Sequence, residues 1–177
     1  MKKIHILSLL LTILLVSCNS KPSLQKYFVE KTEDKNFVSV DLAANMLNLD
    51  KSKVTVEQAE ALKSFDKVNI LAFKSDATNM ALYDTEKAKV KEILKDEKYQ
   101  ELMKFGSGKA GASLSFVGDE DHIDEFVLFA NQKENGFAVV RVLGKDMNPT
   151  GIVTMLTALE HANLDMKQLE PLKMLAK

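Results

Sequence analysis

The chain reads as an α+β protein: a two-layer domain with a mixed sheet of about five strands, in the order β-α-β-α-β-β-β-α, and helices mainly on one face. Three observations lead there. Residues 37–42 and 67–74 carry apolar side chains at strand spacing. Residues 81–104 form the longest stretch at helical spacing. Residues 112–117, 123–131 and 136–143 then follow one another closely, divided by turn residues, as an antiparallel meander does.

Taken in order, the first element after a short polar stretch is a helix capped by Ser23 and running to about Lys31, with Leu24, Tyr27, Phe28 and Lys31 on one side. Residues 32–36 are polar and read as a loop. In the next segment Val38, Val40 and Leu42 point one way, and Phe37, Ser39 and Asp41 the other, which predicts a half-buried strand. Ala43, Met46 and Leu47 fall on one helical face, and Thr55-Val56-Glu57-Gln58 fits a capping box ahead of a helix to about Ser64. Residues 67–74 set Val68, Ile70 and Ala72 against Leu71 and Phe73, so both faces are apolar and the strand is expected to be central. Strand, helices, strand is compatible with a right-handed parallel crossover.

Within residues 81–104, Tyr83, Val90, Ile93 and Leu94 form one stripe and Tyr99, Leu102 and Met103 a second, beyond a kink near Asp96. Gly106 is placed to end this helix as a left-handed cap. Gly118-Asp119-Glu120-Asp121 turns the third strand into the fourth, and Asn135-Gly136 sits in the turn after it. Asn148-Pro149 supplies an N-cap and a first-turn proline for a helix to about Ala162, with Ile152, Val153, Leu156 and Leu159 among its apolar positions. Leu164, Leu169, Leu172 and Leu175 mark a short docked helix in the tail.

The N-terminus has its own signature. Met1-Lys2-Lys3 is basic, residues 6–16 are apolar apart from Ser8 and Thr12, and Leu15-Val16-Ser17-Cys18 closes the run with a small residue before a cysteine. Eleven residues are too few for a spanning helix, which needs about 20. The segment reads as a bacterial lipoprotein signal peptide over 1–17, with Cys18 the acylated residue. The domain plan is therefore signal peptide 1–17, lipid-anchored tether and N-terminal helix 18–36, a single α+β domain 37–162, and a helical tail 163–177. Asn19 rather than an aspartate follows the cysteine, and no acidic run follows it directly. That leans towards an outer-membrane anchor facing the periplasm.

Composition narrows the chemistry. Removing residues 1–17 leaves 160 of 177 residues, enough for one domain with a sizeable core. It also takes away Lys2 and Lys3, so the net charge moves from −1 to −3, which gives no footprint for nucleic acid. With the single cysteine acylated, no thiol remains for disulfides, thiolate catalysis or zinc. Only His122 and His161 survive processing, and tryptophan is absent. These counts argue against a histidine-rich metal centre and a sugar site of stacked aromatics.

Three motifs offer chemistry. Gly106-Ser107-Gly108-Lys109-Ala110-Gly111 matches G-x-G-x-x-G, but the expected helix before it and strand after it reverse the dinucleotide context. Asp119, Glu120, Asp121, Asp124 and Glu125 surround His122 without calcium-loop spacing, so they read as a solvated turn and no metal or other cofactor is expected. Arg141, the one arginine, stands among Val139, Val140, Val142 and Leu143. It is the candidate interaction residue, because a guanidinium projecting from an open face can grip a carboxylate through two parallel bonds. The alternative is a local structural pair. A four-residue loop from Gln132 to Asn135 would set Arg141 opposite Phe126, and a three- or five-residue loop opposite Glu125 or Val127.

The order of these pieces resembles a family of small Bacteroidetes envelope lipoproteins carrying a domain of unknown function. The matching stretches are residues 37–42, Leu71-Ala72-Phe73-Lys74, residues 89–107 (KVKEILKDEKYQELMKFGS), Phe126-Val127-Leu128-Phe129-Ala130, residues 136–144 and Met147-Asn148-Pro149. The resemblance implies no catalytic residues. It implies an envelope location and a link to envelope-stress signalling. The function expected from the sequence is a non-enzymatic, lipid-anchored module that binds another envelope component, through the sheet face opposite the helices. The alternatives are a small-molecule or lipid-binding lipoprotein, which a cavity between sheet and helices would favour, and a hydrolase, which carboxylates clustered in a cleft would favour.

Overall fold

The computed structural model describes residues 21–43, 55–56, 59, 63–107, 110–149 and 151–152. Among the described residues the assigned elements are two helices, α1 (Leu24–Lys31) and α2 (Met80–Ile93), and six strands: β1 (Phe37–Ala43), β2 (Phe65–Lys74), β3 (Gln100–Ser107), β4 (Ala110–Asp119), β5 (His122–Gln132) and β6 (Gly136–Met147). The strands form one sheet in the order β1-β2-β6-β5-β4-β3. Every neighbouring pair is antiparallel.

The α+β class is therefore correct, and the details of the sheet need correcting. It has six strands rather than five, and it is antiparallel rather than mixed. β1 and β2 are direct antiparallel neighbours, with Val40 opposite Ile70, so no parallel crossover joins them. The predicted second half of the long helix is β3. α2 stops at Ile93, Leu94 caps it, and a turn closes with the Tyr99 N–H on the Asp96 carbonyl at 3.0 Å. Tyr99 is buried in the core and pins that turn. Pairing with β4 then overrides the helix-forming residues of this stretch, as tertiary context does with weak local propensity.

The helix face holds the larger aromatic core. Phe37, Phe73 and Phe137 are direct partners across β1, β2 and β6. Phe73 and Phe137 stack with ring centres 5.4 Å apart, and Phe37 meets both edge-on. Leu24, Tyr27 and Phe28 of α1 and Tyr83, Val90 and Ile93 of α2 close over this row. Gly136 makes the row possible. Its φ is 122°, and a Cβ there would come within 1.8 Å of the Phe73 carbonyl oxygen, so only glycine lets β6 start beside β2. Ser23 caps α1 as expected, accepting from the Lys26 N–H at 3.3 Å. Asn148 caps the next turn, accepting from the Gly151 N–H at 2.8 Å.

The face opposite the helices, expected as the interaction surface, carries a second core. Val40, Leu42, Val68, Leu114, Phe116, Phe126, Val142 and Ile152 are all buried there. The physical reason is that the central strands are apolar on both sides, and such strands are covered on both. Ala43, expected to open a helix to Leu49, instead ends β1. The rest of that helix, Glu57 and Gln58 of the capping box, the part of the Asn148-Pro149 helix beyond Ile152, and the tail lie outside the described residues.

Candidate functional site

Arg141 lies on the helix face, not the opposite one. The β5–β6 loop has three residues, Lys133 to Asn135, since Gln132 pairs with Gly136; Arg141 is thereby set opposite Val127. Its guanidinium reaches diagonally to Glu125, donating from Nε to Oε1 at 2.6 Å and from Nη2 to Oε2 at 3.1 Å. The Phe28 ring of α1 covers it, 5.3 Å away. Both side chains are nearly buried, at 8% and 12% exposure, so this is an interior ion pair. Beside it lies a polar recess of about 230 Å³ edged by Ser39, Asp41 and Asn69. That is below the roughly 300–1,000 Å³ of small-molecule pockets. The Asp41 carboxylate accepts from the Asn69 side chain across the β1–β2 pair.

The acidic turn is dispersed by the strand geometry. His122 is exposed, and its Nδ1 is 2.9 Å from Asp146 on β6. Glu125 serves Arg141, while Asp119, Glu120, Asp121 and Asp124 are exposed. Among the described residues, no group of three or more His, Cys, Asp or Glu side chains converges as a metal site would. Gly106 does adopt a left-handed φ of 69°, but as part of the β3–β4 hairpin rather than a helix cap. The glycine motif thus joins two antiparallel strands and opens no helix. Cys18 and His161 lie outside the described residues.

A buried carboxylate went unread in the sequence. Glu86 of α2 is 1% exposed. It accepts from Tyr27 Oη at 2.9 Å, from Lys31 Nζ at 3.0 Å and from Lys89 Nζ at 2.8 Å. These bonds tie α1 to α2. Burial raises the Glu86 pKa, but the Lys89, Lys31 and Tyr27 donors outweigh it and hold the carboxyl below its ordinary value. Burial, reinforced by Glu86, pushes the Tyr27 hydroxyl well above its usual range. The signal was present: Glu86 occupies a stripe position between Tyr83 and Val90, with a lysine three residues on. Next to this network, α1 and the last turn of α2 enclose a groove of about 560 Å³, walled by Lys21, Pro22, Tyr27 and Ile93.

The edge of the sheet at β3 differs from all of this. Among the described residues its one strand neighbour is β4, and no described strand pairs with the other side of its backbone. Leu102, Met103 and Phe105 are 37%, 43% and 59% exposed on it. A groove of about 460 Å³ runs beside them between the end of α2 and the strands, lined by Lys91, Leu94, Phe105 and Phe129. An unpaired edge with adjacent apolar side chains is a template for another chain, and the helical spacing of residues 99–104 hides it in the sequence.

Compared with known families, residues 27–155 match the model of a domain of unknown function, DUF4252. The chain belongs to this family. The match begins within α1 and ends just after the described turn at Ile152, so it takes in all six strands of the sheet. Neither the curated proteins nor the solved structures contain a match. None of the helices among the described residues is long and apolar enough to cross a membrane.

Proposed function

We propose that this chain is a non-enzymatic envelope lipoprotein, acylated at Cys18 and held on the outer membrane facing the periplasm, that binds another envelope protein by strand addition to β3. The observation that carries the binding mode is the exposure of Leu102, Met103 and Phe105 on an edge with one neighbour among the described residues. Main-chain hydrogen bonds to such an edge supply affinity, and a side pocket supplies specificity. The groove beside Phe105 fills the second role. The polar side chains that the sequence offered for chemistry are engaged in pairs: Arg141 with Glu125 and His122 with Asp146. The anchor rests on the ordered charge, apolar run and lipobox of residues 1–18.

A photo-crosslinking residue at Phe105 in intact cells tests the binding mode, with Val29, a still more exposed apolar residue of α1, as the comparison. A discrete adduct at Phe105 and none at Val29 is expected. No adduct at Phe105, or the same adduct at both, overturns it. For the anchor, Cys18→Ala is expected to abolish acyl labelling and release the exported protein from membranes; unchanged labelling overturns that part.

A further inference from the structure

The groove between α1 and α2 sits at the very start of the described chain, and that position constrains what it faces. Lys21 is one of its walls. Only three residue steps separate Lys21 from Cys18, and an extended chain spans at most about 3.6 Å per residue, so Lys21 stays within about 11 Å of an anchor on Cys18. The headgroup layer of one leaflet is about 5–8 Å thick, the difference between roughly 30 Å of hydrocarbon core and 40–45 Å of whole bilayer divided over two sides. The tether therefore has only a few ångströms of slack beyond the headgroups. Lys21 cannot leave the membrane surface.

The groove has the chemistry for that surface. Tyr27 and Ile93 give it an apolar floor, and four lysines stand around it. Two are engaged: Lys89 donates to Glu86 at 2.8 Å and Lys95 to Glu92 at 2.7 Å. Lys21 and Lys26 have no ion pair among the described residues, although Glu30 and Asp96 share the same rim. Long lysine stems lie along apolar surface while their ammonium groups reach outwards, a habit of residues at a membrane interface. Among the described residues neither lysine has a protein anion paired with it.

We propose that this groove is the membrane-facing surface of the protein, resting on the phospholipid headgroups with Lys21 and Lys26 on lipid phosphates. This rests on the reading of Cys18 as the acylated residue. It also gives the domain an orientation. The β5–β6 loop adjoins the start of α2, where the Ser75 N–H donates to the Asn135 carbonyl. Lys89, the first residue of α2 on the groove, comes nine residues after Met80, so at 1.5 Å per residue that loop lies about 14 Å from the near end of the groove along the helix.

Headgroup quenching on the full lipidated protein tests the orientation. Glu30→Cys at the groove and Glu134→Cys in the β5–β6 loop each receive a thiol-reactive fluorophore. The proteins are reconstituted into vesicles carrying nitroxide-labelled headgroups, with or without phosphatidylglycerol. An acylated Cys18 is blocked, so a parent protein that takes up the fluorophore or fails to float with vesicles shows that the anchor reading has failed. If the parent is unlabelled and floats, the groove site is expected to be quenched several-fold more than the loop site. In anionic vesicles, Lys21→Gln and Lys26→Gln are each expected to reduce the ratio of groove-down to other orientations roughly fivefold, from the typical attraction of one lysine to an anionic surface. Equal quenching at the two sites overturns the orientation. Groove quenching unchanged by both substitutions and by lipid charge overturns the headgroup contact, leaving the tether alone or an inserted acyl chain to hold the groove down.

Discussion

The β1–β2–β6 half of the sheet and the β3 edge are built from similar side chains and used in opposite ways. In the first, Phe37, Phe73 and Phe137 pair across three strands and disappear beneath two helices. In the second, Leu102, Met103 and Phe105 remain at the surface, against one neighbouring strand among the described residues. The interior half is closed by groups with no latitude: Gly136 against the Phe73 carbonyl, Arg141 on Glu125, Glu86 under three donors. The edge has no comparable lock. The same chain buries Phe37, Phe73 and Phe137 beneath its helices, so the exposed edge is the contrast on which the proposed strand addition rests.

That contrast can be broken or sharpened by substitution. Gly136→Ala should cost most, about 4 kcal/mol, because it adds both an unfavourable φ and a backbone clash; a urea midpoint close to that of the parent would refute the reading of this turn. Arg141→Ala should cost about 3 kcal/mol, since it strands a nearly buried Glu125, while replacing both partners by leucine should recover most of the loss. Denaturation of the three variants settles it, and a double variant as unstable as Arg141→Ala would count against the pair. Arg141→Lys keeps the charge and loses the planar fork, so it should fall between.

Glu86→Gln should cost about 2 kcal/mol, the scale of hydrogen bonds to a charged group. The pH dependence has a definite sign. Because the folded carboxyl lies below its ordinary value of about 4.3, its contribution is fully present above that pH and is lost as pH falls through the depressed folded value. The parent should therefore lose more stability below about pH 4.3 than Glu86→Gln does; parallel acid profiles would show that the network is not held as a carboxylate. At the β3 edge, Phe105→Thr should change stability least, within about 0.5 kcal/mol. A larger loss on thermal melting would mean that Phe105 contributes to the core.

Much of the interior half was legible. Alternation gave β1, both-sided apolar character marked β2 as central, and Asn135-Gly136 marked the turn that sets the phenylalanine row. Ser23 and Asn148 announced their caps. What escaped was whatever depends on a partner distant in sequence. Nothing in residues 37–74 distinguishes a parallel crossover from antiparallel neighbours. Arg141 could be placed only once the β5–β6 loop length was known, because a change of loop length shifts the residue opposite it. β3 was misread because Glu101, Leu102, Met103 and Lys104 favour helices and an edge strand buries too little for its own periodicity to show. The second face is covered because β5 and β6, like β2, carry apolar residues on both sides, Phe126 and Val142 on one and Val127 and Val139 on the other.

The most direct test of the central claim, that the β3 edge binds a partner while the rest of the described domain holds it in shape, is capture of the protein crosslinked at Phe105. Detergent-solubilised envelopes expressing the parent and a Met103→Asp, Phe105→Asp variant would be compared by affinity purification, with melting and acyl labelling measured on both. The expected result is a variant that melts and is acylated like the parent but no longer brings the partner down. A folded, acylated variant that still recovers the partner at the parent's level would contradict the claim.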